Sequence, residues 1–235
     1  MEITFFLIIL GLAGGYVGWN IGANDSANCI GTSVGSGITT FRRARYLVIF
    51  FVMLGAFLQG HLVMKTLGKG IVTADLPEFA VLVALLSSGI FVTLATFFRV
   101  PVSTSQALVA GVAGVGVGVF GFTGEQIAWK KLLTILECWI ASPILAMILS
   151  FIIYRLLIFI IPRIRNKKRL DQILTFLVLI SAAYVAYSLG ANDVGNAMGP
   201  LFNLFPENAQ GLALFGGITM GLGVLTYGQK VTNTV

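Results

Sequence analysis

Long apolar runs are the strongest constraint that this sequence places on its fold. Six segments are apolar over the roughly 20 residues that a helix needs to cross the hydrocarbon core of a bilayer. Charged residues make up only 10% of the chain, whereas soluble domains carry about a quarter. Inside lipid every backbone polar group needs an internal partner, so we predict an all-α, multi-pass protein of the cell membrane. The predicted spans are Ile3–Ile21, Tyr46–Met64, Phe79–Phe98, Leu132–Ile161, Ile173–Leu189 and Ala209–Tyr227.

A seventh apolar segment, Pro101–Phe120, fits either a crossing or a re-entrant loop, because it is rich in glycine and opens with polar residues. Arg42, Arg43 and Arg45 follow the first span, and the sequence "PRIRNKKRL" fills Pro162–Leu170. The positive-inside rule puts both basic clusters in the cytoplasm. They fall on the same side if Pro101–Phe120 crosses. We therefore predict that this segment crosses and that the N-terminus lies outside.

A polar motif occurs twice in these apolar surroundings. "GANDSAN" at Gly22–Asn28 returns as "GANDVGN" at Gly190–Asn196, at a constant offset of 168 residues that also pairs Tyr16 with Tyr184. A constant offset over some fifty residues indicates duplication. Five predicted crossings separate equivalent points, so the second copy is predicted to be inverted. Inverted repeats are typical of secondary transporters, whose sites lie near the membrane midplane.

The offset also predicts the domain organisation. The first repeat covers residues 1–161, a basic cytoplasmic loop covers 162–170, and an inverted second repeat begins at 171 and runs to 235. Val235 is equivalent to Leu67, so the second repeat is expected to be incomplete. We expect the chain to be an N-terminal fragment or a truncated reading frame of a longer protein. The alternative is a short protein that completes its site by oligomerising.

The repeated motif has the chemistry of a cation site. Gly22 and Gly190 are predicted to unwind their helices, so that the helices are broken at the motifs and free carbonyl groups lie beside the polar side chains. Carbonyl, amide and carboxylate oxygens suit a hard cation such as sodium, and an ionisable residue within a span indicates a functional site. The alternative is an Asx cap at a helix start. The predicted cation ligands are Asn24, Asp25, Asn28, Asn192, Asp193 and Asn196, with sodium at Asp25 and Asp193.

A second polar segment, "RVPVSTSQ" at Arg99–Gln106, precedes a helix of small residues. A helix N-terminus presents free N–H groups and the positive end of the macrodipole, which favours an anion. Neutral donors can hold a transported anion without trapping it in an ion pair. The alternative is an ordinary capped helix start. The predicted anion ligands are Ser103, Thr104, Ser105 and Gln106.

Together, "GANDSAN", "GANDVGN" and "PVSTSQA" resemble the inorganic phosphate transporter (PiT) family, which includes sulfate permease relatives. The resemblance implies symport of inorganic phosphate coupled to sodium or protons, two inverted repeats and a homodimer. Many members have Thr-His after the Ser-Thr pair, where this chain has Ser105-Gln106. The missing histidine removes a group that titrates near neutral pH, so sulfate remains the alternative substrate.

Other classes of protein fit the sequence less well. With one histidine, His61, and no Ser/His/Asp or metal-ligand set at suitable spacing, we predict that the chain is not an enzyme and needs no cofactor beyond the coupling ion. The basic residues lie in short loops between apolar spans, so the expected surroundings are a lipid bilayer and not a nucleic acid. An ion channel that uses the same polar motifs as a filter is the alternative from a different class.

Overall fold

The computed structural model describes residues 2–67, 71–202 and 205–235, without the side chains of residues 2–4 and 65–67. Within these ranges a five-residue π-helix, Ala56–Gly60, joins α2 to α3, and an isolated antiparallel bridge pairs Val72 with Ile127. The α-helices are α1 (Glu2–Gly35), α2 (Phe41–Gly55), α3 (His61–Leu67), α4 (Glu78–Phe97), α5 (Thr104–Phe120), α6 (Trp129–Ile160), α7 (Lys167–Phe202), α8 (Ala209–Thr226) and α9 (Gly228–Thr232).

Six helical segments are long and apolar enough to cross a membrane, which confirms the predicted all-α, multi-pass architecture. At 17 residues, α5 is shorter than these six. The six segments are Phe5–Gly35, Phe41–Met64, Glu78–Phe97, Trp129–Arg163, Lys167–Phe202 and Pro206–Thr226.

The predicted helix breaks at the two motifs are wrong. Helix α1 runs through Gly22–Asn28 without interruption, and α7 runs through Gly190–Asn196 in the same way. The glycines serve close packing instead, because a Cβ on Gly22 would collide with the backbone carbonyl of Met220, and a Cβ on Gly190 with that of Val52. A continuous helix also keeps its backbone groups hydrogen-bonded, which favours it inside a membrane protein.

The glycine contacts follow the repeat. Since Val52 and Met220 are themselves 168 residues apart, the two close approaches are equivalent, one joining α1 to α8 and the other α7 to α2. Two further sets of contacts are equivalent in the same way. Gly55 packs against Tyr187, and its equivalent Gly223 packs against Trp19. Gly60 packs against Val194, and its equivalent Gly228 packs against Ser26. Each repeat is therefore held to the other by the same small-residue packing.

The irregular segments occur in the second helix of each repeat. The π-helix Ala56–Gly60 interrupts the first copy, and Tyr227 separates α8 from α9 at the equivalent place in the second. Local departures from α-helix are common near functional sites. Here they lie beside the motif helices rather than within them.

The two motif helices run antiparallel. Near the N-terminal end of α1, Gly14 packs against Ala197 and Leu201 near the C-terminal end of α7. Asp25 lies ten residues before the end of α1 and Asp193 nine before the end of α7, or about 15 Å and about 14 Å at the helical rise. The two carboxylates are therefore placed almost symmetrically with respect to the ends of their antiparallel helices.

Candidate ion and substrate site

A hairpin formed by α4 and α5 brings the second polar segment to the motifs. The two helices are tied by a hydrogen bond from Ser88 Oγ to the Ala107 carbonyl, 3.0 Å long. The chain turns at residues 98–103, where Arg99 adopts a left-handed φ of 62°. The side chain of Ser103 caps α5 by accepting a hydrogen bond from the backbone N–H of Gln106 at 3.3 Å. The tip and the start of α5 therefore face α1 and α7.

Asp25 is buried against the first turn of α5. Its Oδ2 accepts a 2.7 Å hydrogen bond from Thr104 Oγ1, and its Oδ1 lies 3.5 Å from the Asn28 amide nitrogen. The Asp25 side chain is 6% exposed, as is that of Thr104. A buried carboxylate needs compensation by hydrogen bonds or a cation, and the pair supplies only part of it.

Asp193 bonds to Ser105, the residue that follows Thr104 in the first turn of α5. Ser105 Oγ donates to Asp193 Oδ1 at 3.1 Å. The Asn196 amide nitrogen donates to Asp193 Oδ1 and to Ser105 Oγ, both at 2.7 Å. Two consecutive hydroxyls, Thr104 and Ser105, thus bind carboxylates that belong to opposite repeats.

A cavity of about 490 Å³ lies between these groups. It extends from the two aspartates to Cys29 on α1 and to Val185 at the middle of α7. Because the two helices are antiparallel, the C-terminal end of α1 and the N-terminal end of α7 lie on the same side. The first basic cluster follows the end of α1 and the second lies at the start of α7, so both clusters lie on that side. Among the residues that the structure describes, the cavity lining includes two carboxylates and no lysine or arginine. They are Asp25, Asn28, Cys29, Pro101, Val102, Ser103, Thr104, Ser105, Val185, Ser188, Leu189, Asn192 and Asp193.

Three of the predicted site residues lie outside the lining of this cavity. Asn24 is fully buried and bonds to the hairpin tip. Asn196 bonds to Asp193 from behind the cavity wall. Gln106 lines a second cavity with Ser87 and Gly111, and Val102 and Ser103 line both cavities.

The sequence reasoning missed Thr96, Ser188 and Cys29. Ser188 lines the cavity and is equivalent to Asn20 at the repeat offset, so the alignment of the two copies could have found it. Cys29 directly follows the first motif and reaches the cavity wall. Thr96 accepts a hydrogen bond from Asn24, but nothing in its local sequence separates it from other threonines of an apolar helix.

Six apolar helices of membrane-spanning length around a polar cavity define a membrane transport protein, and the relatives of this chain are transporters rather than enzymes. The particular family follows from the whole sequence. The family described as the phosphate transporter family matches residues 21–170 and 161–235, and this chain belongs to it.

Individual relatives agree with this assignment. A protein of Pyrococcus furiosus named as a phosphate permease is 29% identical over 99% of this chain and 76% of its own length. The inorganic phosphate transporter 2-1 of Arabidopsis thaliana chloroplasts is 35% identical over 83% of this chain and 33% of its own length. A solved structure, described as the sodium-dependent phosphate transporter, matches with a TM-score of 0.84 and 27% identity over 98% of this chain and 78% of that one.

Proposed function

We propose that this chain carries inorganic phosphate across the membrane together with sodium. The observation that carries the proposal is the pair of hydrogen bonds from Thr104 and Ser105 to Asp25 and Asp193. The start of α5, which suits an anion, is therefore hydrogen-bonded to the two carboxylates, which suit a cation. The sodium dependence stated for the similar solved structure favours sodium over the proton as the coupling ion.

Charge gives a reason for coupling. Two unit charges 4 Å apart interact by about 4 kcal/mol at the effective dielectric constant near a protein surface. An anion beside Asp25 and Asp193 is repelled by that order of energy in an empty site. A sodium ion on each carboxylate removes the repulsion, so phosphate binds well only when sodium is bound.

The proposed ligands divide between the two ions. Asp25 and Asp193 hold sodium, with amide oxygens from Asn28 and Asn192 facing the same cavity. The hydroxyls of Ser103, Thr104 and Ser105, with the free N–H groups at the start of α5, hold the phosphate. Thr104 and Ser105 donate to the carboxylates when the site is empty. Their oxygens become available to sodium when the hydroxyl hydrogens turn toward phosphate.

We also propose that the α4–α5 hairpin re-enters the membrane, in place of the two crossings predicted for Phe79–Phe98 and Pro101–Phe120. Its tip bonds to Asn24 and Thr104 reaches Asp25, while its outer ends meet where Thr73 donates to the Gln126 carbonyl at 2.8 Å. A re-entrant hairpin leaves both basic clusters in the cytoplasm and the N-terminus outside. The cavity then opens toward the cytoplasm.

Two surfaces support a larger functional unit. Tyr16, Asn20 and Asn24 on α1 are covered by α4, whereas their equivalents Tyr184 and Asn192 on α7 are exposed. Helix α6 has no buried residue along its length. We propose that it contributes to a homodimer, which mass photometry in nanodiscs would test.

The proposed function is tested by reconstituting the purified chain in liposomes and measuring uptake of labelled phosphate under an imposed sodium gradient. We expect saturable uptake that follows the sodium gradient and persists when the pH gradient is collapsed. Competition by excess sulfate would be weak, since the matched relatives are named for phosphate. Uptake that follows only the pH gradient would overturn sodium coupling. Ohmic sodium currents without saturation would indicate a channel.

A further inference from the structure

We propose that Asn24, the first polar residue of the first motif, is a positioning residue that clamps the hairpin tip, and that Thr96 is its partner. The amide nitrogen of Asn24 donates to Thr96 Oγ1 at 2.9 Å and to the Val100 carbonyl at 3.1 Å. Its Oδ1 accepts from the backbone N–H of Val102 at 3.0 Å. This inference concerns the same site as the proposed function and rests on it for its effect on transport.

The clamp binds the part of the hairpin that has least support of its own. The N–H groups of Phe98, Arg99 and Val100 return to carbonyls of α4. Pro101 has no N–H to donate, and α5 begins only at Thr104. Asn24 therefore bonds to the backbone on both sides of Pro101, between the end of one helix and the start of the next.

Burial separates this clamp from a direct cation ligand. Asn24 is 0% exposed and Thr96 is 1% exposed, and neither lines the cavity that contains the aspartates. Both donor positions of the Asn24 amide are used, and its oxygen already accepts a hydrogen bond. Unpaired amide groups at this depth are unfavourable. The neighbouring Asp25 lies on another face of α1 and points into the cavity.

The clamp acts on the site through a short length of chain. Val102 is two residues before Thr104, and an extended residue spans at most about 3.6 Å. A shift of the tip therefore moves the Thr104 and Ser105 hydroxyls by a similar distance. Hydrogen bonds weaken steeply beyond their usual length, so the carboxylates on both repeats lose their partners together. We infer that the clamp sets the sodium concentration at which the site fills.

A second pair on the same two helices provides a matched control. Thr93 Oγ1 donates to Asn20 Oδ1 at 2.8 Å and also bonds to the Tyr16 hydroxyl. It lies three residues before Thr96 on α4 and joins the same helices. It makes no hydrogen bond to residues 98–106. Thr93→Val and Thr96→Val thus remove similar bonds, but only the second loosens the tip.

The first measurement needs no ligand. Hydrogen–deuterium exchange of the peptide covering residues 98–106 is compared among full-length chains in nanodiscs. We expect Thr96→Val to speed exchange at the tip by roughly tenfold, whereas Thr93→Val leaves it unchanged and Thr96→Ser restores slow exchange. Equal exchange at the tip in Thr93→Val and Thr96→Val would overturn the clamp. The nearly isosteric substitutions avoid the folding defect that Asn24→Ala could cause.

The second measurement links the clamp to transport. In liposomes we expect Thr96→Val to raise the sodium concentration for half-maximal phosphate uptake by roughly tenfold, with the maximal rate nearly kept at saturating sodium. Thr93→Val should match the wild type. Wild-type chains that take up no phosphate would refute the proposed function, while the exchange measurement would still decide the clamp. A faster-exchanging tip with an unchanged sodium requirement would overturn the link to sodium.

Discussion

Thr104 on the first turn of α5 donates a 2.7 Å hydrogen bond to Asp25 on α1. The residues are far apart in the sequence, and only the hairpin brings them together. The next residue, Ser105, makes the equivalent bond to Asp193 in the other repeat. Consecutive residues of a helix point about 100° apart, so one helical turn can reach two different helices. The start of α5 therefore joins the two halves of the site.

Replacing Asp25 by asparagine should abolish sodium-driven phosphate uptake, with a loss of at least about tenfold. The amide keeps the shape of the side chain but lacks the charge that balances a cation, and charged hydrogen bonds contribute about 1.5–3 kcal/mol. The measurement is labelled uptake in liposomes. Asp171→Asn, at an exposed position near the start of α7, is the matched control and should transport normally. Full uptake by Asp25→Asn at unchanged sodium coupling would contradict the role of Asp25.

Replacing Ser103 by alanine should weaken phosphate binding more than sodium binding. The substitution removes the cap of α5 and one neutral donor of the cavity, and loss of a helix cap costs about 1 kcal/mol of stability. We expect the phosphate concentration for half-maximal uptake to rise several-fold at saturating sodium. Ser87→Ala is the control, because Ser87 bonds only within α4, to the Ala84 carbonyl. An unchanged phosphate requirement would argue against an anion at this helix start.

Replacing Gln106 by histidine should leave the preference for phosphate over sulfate unchanged. Gln106 lines the second cavity beside Ser87 and does not line the cavity that contains the aspartates. We therefore expect a titrating group at this position not to contact an anion bound near Asp25. Competition between labelled phosphate and unlabelled sulfate, measured from pH 6 to 8, tests this expectation. A marked shift toward phosphate in the variant would mean that position 106 reaches the substrate.

Replacing Gly22 by alanine should destabilise the fold. The added Cβ would collide with the Met220 backbone carbonyl, and overpacking a close contact costs about 1–3 kcal/mol. Gly114→Ala on α5 is the matched control, since a Cβ there meets no atom within 4 Å. In detergent, the midpoint of thermal unfolding should be lower for Gly22→Ala than for the wild type. The midpoint for Gly114→Ala should be almost the same as that of the wild type. Equal unfolding midpoints for the two variants would mean that α1 and α8 can move apart without loss of stability.

The membership of the family and most of the residues that line the candidate site could be predicted from the sequence because both depend on local pattern. Apolar runs of bilayer length define the class of fold, and the polar residues at Gly22–Asn28 and Gly190–Asn196 are conspicuous in such surroundings. The constant offset predicted an inverted pair of repeats. The helical start after Pro101 followed from the backbone limits of proline and from the caps that follow it.

The tertiary structure alone decided which of these residues face the hairpin tip and which face the cavity. Asn24 and Asn28 have the same chemistry, yet Asn24 is turned toward the hairpin tip and Asn28 toward the cavity. The sequence cannot separate them, because a helix places side chains on every face and only the packed neighbours decide what each face meets. The same holds for Gly22, which permits either an unwound turn or a close approach. The nearby Met220 backbone selects the close approach, and the helix stays whole.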